Sequence, residues 1–171
     1  MQASLIVTFI GNDRPGLVEE LSGAIERNGG NWHESRLSQL GGKFAGIVLT
    51  TIPEEQAPAL QDDLAALASS GLDVTVAASG PGAVDAPGKK IHLSVLGPDR
   101  PGIVREISRA LAQRQVNVLE MESGVERAPM SAEVMFRASI SACIAEATDM
   151  DDLSSHLEDI ANSMTLEIDL D

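Results

Sequence analysis

A chain of 171 residues with 43% apolar side chains can fill the core of one ordinary domain or of two small ones. Its formal net charge of -14, from 26 acidic against 12 basic side chains, repels nucleic-acid phosphates. Three Phe, one Trp and no Tyr leave few platforms on which bases stack, so direct nucleic-acid binding is not expected.

In chain order, the opening stretch MQASLIVTFIGNDRPG has no basic segment, and Asp13 and Arg14 cut its apolar run short, so it predicts no secretory signal. Within it, SLIVTFIG alternates apolar or β-branched residues with polar ones and ends at Gly11, as a half-buried strand does. After Pro15, the residues Leu17, Val18, Leu21, Ala24 and Ile25 share one face of a helix. Pro15 suits the first helical turn, and Asp13 sits where a carboxylate caps free N–H groups. Asn28-Gly29-Gly30 supplies a left-handed exit. Next, NWHESRLSQL and KFAGIVLTTI read as strands joined by a tight hairpin at Gly41-Gly42. PEEQAPALQDDLAALASSG has helical spacing, with Leu60, Leu64 and Leu67 on a common side, and LDVTVAA returns as a strand.

SGPGAVDAPGK is rich in Gly, Pro and Ala and reads as a linker. It sets a first domain at 1–79, a linker at 80–89 and a second domain at 90–171. A phosphate loop is not expected there, because five residues separate Gly82 from Gly88, Lys89 is followed by Lys90 and not by a hydroxyl residue, and a strand comes next.

Past the linker the chain repeats itself. GPDRPGIVREIS at Gly97–Ser108 restates GNDRPGLVEELS at Gly11–Ser22, again after an alternating strand, IHLSVLG. Ile103, Val104, Ile107, Ala110 and Leu111 repeat the first helical face, with Pro101 and Asp99 in the places of Pro15 and Asp13. NVLEMESGVE and SAEVMFRASI follow as strands joined through Ala128 and Pro129. DMDDLSSHLEDIANS is the second helix, with Leu153, Leu157 and Ile160, and MTLEIDLD the last strand. Each half therefore reads strand, helix, strand, strand, helix, strand. That order predicts an α+β fold of two ferredoxin-like sandwiches, each an antiparallel sheet with both helices on one face.

A strand that ends in glycine and turns at once into a helix presents unpaired N–H groups and the positive end of a dipole, where a small carboxylate docks. Gly16 and Gly102 lack a Cβ and let a ligand approach the backbone. Arg14 and Arg100 are placed to hold that carboxylate, to pair with Asp13 and Asp99, or to reach solvent. The plain alternative is a well-formed turn capped by Asp and started by Pro.

Both halves resemble the ACT domain, a ligand-sensing regulatory module, on the phrases Asp13–Val18 and Asp99–Val104 and on the Asn that opens the second strand, Asn31 and Asn117. Two such domains with nothing else attached look like the glycine-cleavage-system transcriptional repressor group. The resemblance implies a small amino acid, such as glycine or serine, bound where ACT domains meet. On this reading Asn12, Asp13, Pro15, Gly16 and Leu17 form one loop, facing Asn117 from another domain. Pro98, Asp99, Pro101, Gly102 and Ile103 form the other, facing Asn31. The copies differ at Asn12 against Pro98 and at NWHES against NVLEM, so at most one is expected to keep a competent pocket.

The remaining chemistry-bearing residues do not assemble. Asp149, Asp151, Asp152, Glu158 and Asp159 complement a helix dipole without calcium-loop spacing, and His33, His92 and His156 show no zinc spacing with Cys143. No nucleophile, base and oxyanion hole, and no cofactor fingerprint, can be picked out, so neither an enzyme nor a bound cofactor or metal is expected. One cysteine cannot form an internal disulfide, which fits a reducing cytoplasm, and no apolar run is long enough to span a bilayer. The expectation is a cytoplasmic amino-acid-sensing regulator acting through protein contact on a partner such as a DNA-binding regulator, with exposed sheet edges that pair within the chain or across a homodimer. The alternative is an interaction scaffold that keeps the fold and binds no ligand.

Overall fold

The computed structural model describes residues 1–80, 88–129 and 132–171, so most of the expected linker, including the five residues between Gly82 and Gly88 where a phosphate loop is not expected, lies outside the described residues. The chain divides into two compact units, Met1–Gly82 and Ala83–Asp171.

In the first unit β1 (Gln2–Asn12), α1 (Leu17–Arg27), β2 (Asn31–Leu40), β3 (Lys43–Pro53), α2 (Ala57–Ala66) and β4 (Leu72–Ala78) follow the expected order, with 3-10 turns at Glu54–Gln56 and Leu67–Ser70 flanking α2. The sheet order is β2-β3-β1-β4, antiparallel throughout. Leu5, Val7 and Phe9 alternate along β1 into the core. There they meet Leu17 and Leu21 of α1 and Leu60 and Leu64 of α2, so both helices cover one face. Burying each such side chain contributes about 1.5–3 kcal/mol relative to leaving it in water. The hairpin turns on Gly41 (φ 57°) and Gly42 (φ 78°), the left-handed pair that two-residue loops require.

The second unit repeats the design with β5 (Lys89–Pro98), α3 (Ile103–Gln113), β6 (Asn117–Arg127), β7 (Val134–Ile144), α4 (Met150–Met164) and β8 (Glu167–Leu170), in the sheet order β6-β7-β5-β8. Leu93 and Val95 of β5, Ile107 of α3 and Leu153 and Leu157 of α4 build a separate core. Asp149 caps α4, its Oδ1 accepting from the N–H groups of Asp151 (3.0 Å) and Asp152 (3.1 Å). Both units are ferredoxin-like α+β sandwiches.

Candidate functional site

The repeated phrase forms the corner between the first strand and first helix of each unit. At the end of β1, Asp13 donates its N–H to the Gly42 carbonyl (3.0 Å). At the end of β5, Asp99 donates to the Val134 carbonyl (2.8 Å). The chain then turns on Gly16 (φ 93°) and Gly102 (φ 99°), left-handed residues that occupy the N-cap position. The first intrahelical bonds run from Glu20 N–H to Gly16 O and from Glu106 N–H to Gly102 O, both 2.9 Å.

Two expectations are corrected here. Asp13 and Asp99 do not cap the helices, because the N-cap residue is a glycine with no side chain to accept with. Pro15 and Pro101 lie before the N-cap, outside the first helical turn, and serve the turn itself. The amides of residues 17–19 and 103–105 consequently have no intrahelical acceptor and no side-chain cap. A Cβ built on Gly16 or Gly102 meets nothing within 4 Å, so the space beside each of these glycines is open.

The two corners differ in what their arginines do. Arg14 pairs with neither Asp13 nor solvent alone: its guanidinium donates to Glu20 Oε1 (2.6 Å) and Oε2 (2.9 Å), while Ser70 Oγ donates to the same carboxylate (3.2 Å). These hydrogen bonds hold the Glu20 carboxyl below its ordinary pKa and the Arg14 guanidinium above its own. Lys43 Nζ donates to Asn12 Oδ1. The Arg14 and Asn12 side chains of the first corner are therefore paired from within, although Asp13, Gly16, Leu17 and Phe44 still line a hollow of about 440 Å³. In the second corner Pro98 replaces Asn12 and faces Met135 across the strand pair, and Arg100 is exposed with no ion pair among the described residues.

Within one unit the structure gathers the five corner residues but not the strand-opening asparagine. Asn31 pairs with Thr51, which shares its row with Ser4, whereas Asn12 lies eight positions further along β1. At about 3.3 Å per residue that is roughly 26 Å. Asn117 stands likewise in the row of Cys143 and Lys90, at the other end of β5 from Pro98. A site using both a corner and an asparagine requires two domains. His33 sits in a β-bulge between Trp32 and Glu34 and shares a 2.8 Å hydrogen bond with Thr51 Oγ1; β6 carries the matching bulge between Val118 and Glu120. Sequence reading missed both bulges, whose only trace is a local break in alternation. It missed the Arg14–Glu20 clamp too, since nothing in the spacing shows that the turn folds Arg14 back over α1.

Among the described residues no group of three or more His, Cys, Asp and Glu converges to hold a metal, and no helix is long and apolar enough to cross a membrane. ACT domain models match residues 3–78 and 91–160. No curated protein sequence matches the chain. Among solved structures, a protein of unknown function from Galdieria sulphuraria is 27% identical with a TM-score of 0.88, over 100% of this chain and 98% of that one. A candidate glycine cleavage system transcriptional repressor is 19% identical with a TM-score of 0.73, over 100% and 97%. The latter likeness is one of fold.

Proposed function

Since the chain belongs to the ACT domain family, with one ACT domain in each half, we propose that it is a cytoplasmic regulator that binds a small amino acid at a DRPG corner and acts through protein contact. The ligand's carboxylate docks on the uncapped amides of the first helical turn, and a strand start from another ACT domain closes the site. Binding shifts the protein between states only through a difference in affinity for them. The observation that carries this reading is the pair of open glycine corners, each with free amides and nothing within 4 Å of the missing Cβ.

The second corner is the better site, because Arg100 is free to clamp a carboxylate whereas Arg14 is already held by Glu20. Thermal-shift titration with glycine, serine and a branched amino acid tests the reading. Ligand at a hundred times its Kd adds about 2.7 kcal/mol of stability. Arg100→Gln is expected to weaken binding about tenfold or more, the loss of a charge-assisted hydrogen bond, and Arg14→Gln to leave it unchanged. If no amino acid at millimolar concentration moves the transition, the sensor reading fails. The internally paired side chains of the first corner favour the scaffold reading for that copy, and the chain would then be a non-catalytic interaction module.

A further inference from the structure

We propose that the open face of the second unit's sheet, opposite its helices, is a docking trough for a partner protein's helix that carries lysine or arginine along both flanks and an acidic side chain midway. This rests on the protein-contact part of the reading above and not on the identity of any amino acid. Register sets Glu122, Ser139, Ser94 and Asp169 in one row across β6, β7, β5 and β8, and Gly124, Arg137, Leu96 and Glu167 in the next. Glu120 and Asp171 end a third row, so carboxylates stand on both edge strands in two of the three rows and on β8 alone in the row of Gly124. Between the edges Ser94 and Ser139 floor a hollow of about 490 Å³, with Arg137 and Leu96 at its side and Gly124 a gap in the β6 rim.

The rims stand three strand spacings apart, roughly 14 Å, and a helix with its side chains is about 10–12 Å across. Arg137 lines the same hollow as Glu122, Glu167 and Asp169, yet it makes no ion pair among the described residues. An unpaired guanidinium between acidic rims can accept an acidic group from outside, which fixes the register of an otherwise cationic partner. The trough is not a by-product of the fold. The corresponding rows of the first unit are Arg36, Ile47, Thr8, Thr75, then Ser38, Ala45, Ile10, Asp73, then Glu34, Leu49, Ile6, Ala77, with a mostly apolar middle and one carboxylate on each edge strand, that of Glu34 paired with Arg36.

Fluorescence anisotropy with a labelled alanine-based helical peptide, lysine on both flanks and one central glutamate, at about 50 mM salt, tests this. Glu122→Lys with Asp169→Lys is expected to weaken binding about tenfold or more. Glu55→Lys with Asp62→Lys, the same charge change on the first unit's surface, is expected to change it less than about twofold. Replacing the peptide's glutamate by glutamine weakens binding to the parent but not to Arg137→Gln. No binding by the parent, equal loss in the two charge-reversed proteins, equal binding of a proline-broken peptide, or no coupling between that glutamate and Arg137 would each overturn the proposal. Should the reversed variant not fold, Glu122→Gln and Asp169→Asn are read in its place. Titrations contain no amino acid and are repeated on Arg100→Gln, so a failed sensor reading leaves the peptide isotherm unmoved and the two failures stay distinguishable.

Discussion

The two helix exits of each unit show what a single residue decides. The first unit leaves α1 through Gly29 (φ 71°) and the turn after α2 through Gly71 (φ 84°), whereas the second leaves α3 through Gln115 and α4 through Thr165, both at φ 56°. A left-handed conformation costs an L-residue roughly 1–2 kcal/mol, more for β-branched Thr than for Gln, and glycine's extra unfolded-state entropy returns part of that. Gln115→Gly and Thr165→Gly should each stabilise the second unit, by about 0.5–1 kcal/mol, in urea denaturation; no gain from Thr165→Gly would mean the strain is absorbed elsewhere. The same argument governs probes of the corner. At φ 99° any side chain on Gly102 is strained, so Gly102→Val loses stability as well as ligand, and Arg100→Gln is the cleaner test. The Arg14–Glu20 pair has a pH signature. The Glu20 carboxyl titrates below its ordinary value in the folded protein, so its contribution is present above the unfolded value and is lost as pH falls through the lowered one. Glu20→Gln should melt slightly below the parent at neutral pH and together with it in strong acid; a constant difference across pH would show that the charge is not what matters.

At the scale of elements, what the sequence makes legible is what depends on local chemistry. Alternation predicted the strands, the 3.6-residue period the helices, Gly41-Gly42 the hairpin and Asp149 a charge-complemented helix start, because each is settled within a few residues. What was not legible is set by a neighbour distant in sequence. Gly11 and Gly97 read as strand ends, but the physical reason lies across the sheet. A Cβ on Gly97 would stand 2.5 Å from Leu166 Cδ2 and 2.9 Å from the Thr165 carbonyl, and one on Gly11 2.9 Å from the Gly71 carbonyl. Gly97→Ala is therefore expected to cost about 1–3 kcal/mol by overpacking, while Gly124→Ala, with nothing within 4 Å, is close to neutral. Equal denaturation midpoints for the two variants would refute the close approach. For the candidate site, the corner residues were legible from the repeated phrase. The distance from corner to asparagine was not, since only the antiparallel register puts Asn12 and Asn31 at opposite ends of one sheet.

Over the whole molecule, one fold written twice has been given different surfaces. The buried positions match, with Leu17 and Leu21 answered by Ile103 and Ile107, while the open faces diverge to isoleucine in one unit and to serine, arginine and carboxylates in the other. Cores constrain volume and polarity far more tightly than faces do, so a duplicated unit keeps the first and is free to specialise the second. The two cores are also separate clusters, which predicts that damage to one spares the other. Ile107 is 2% exposed, and Ile107→Asp buries a carboxylate with no partner, a change large enough to unfold a small domain. Trp32, the chain's one tryptophan, packs against the first core, so its fluorescence reports that unit by itself. In Ile107→Asp the far-UV circular dichroism should fall by roughly half while the Trp32 emission and its urea midpoint stay near the parent's. If the tryptophan transition is lost together with the helical signal, the units fold as one cooperative body and the duplication is not one of independently stable parts.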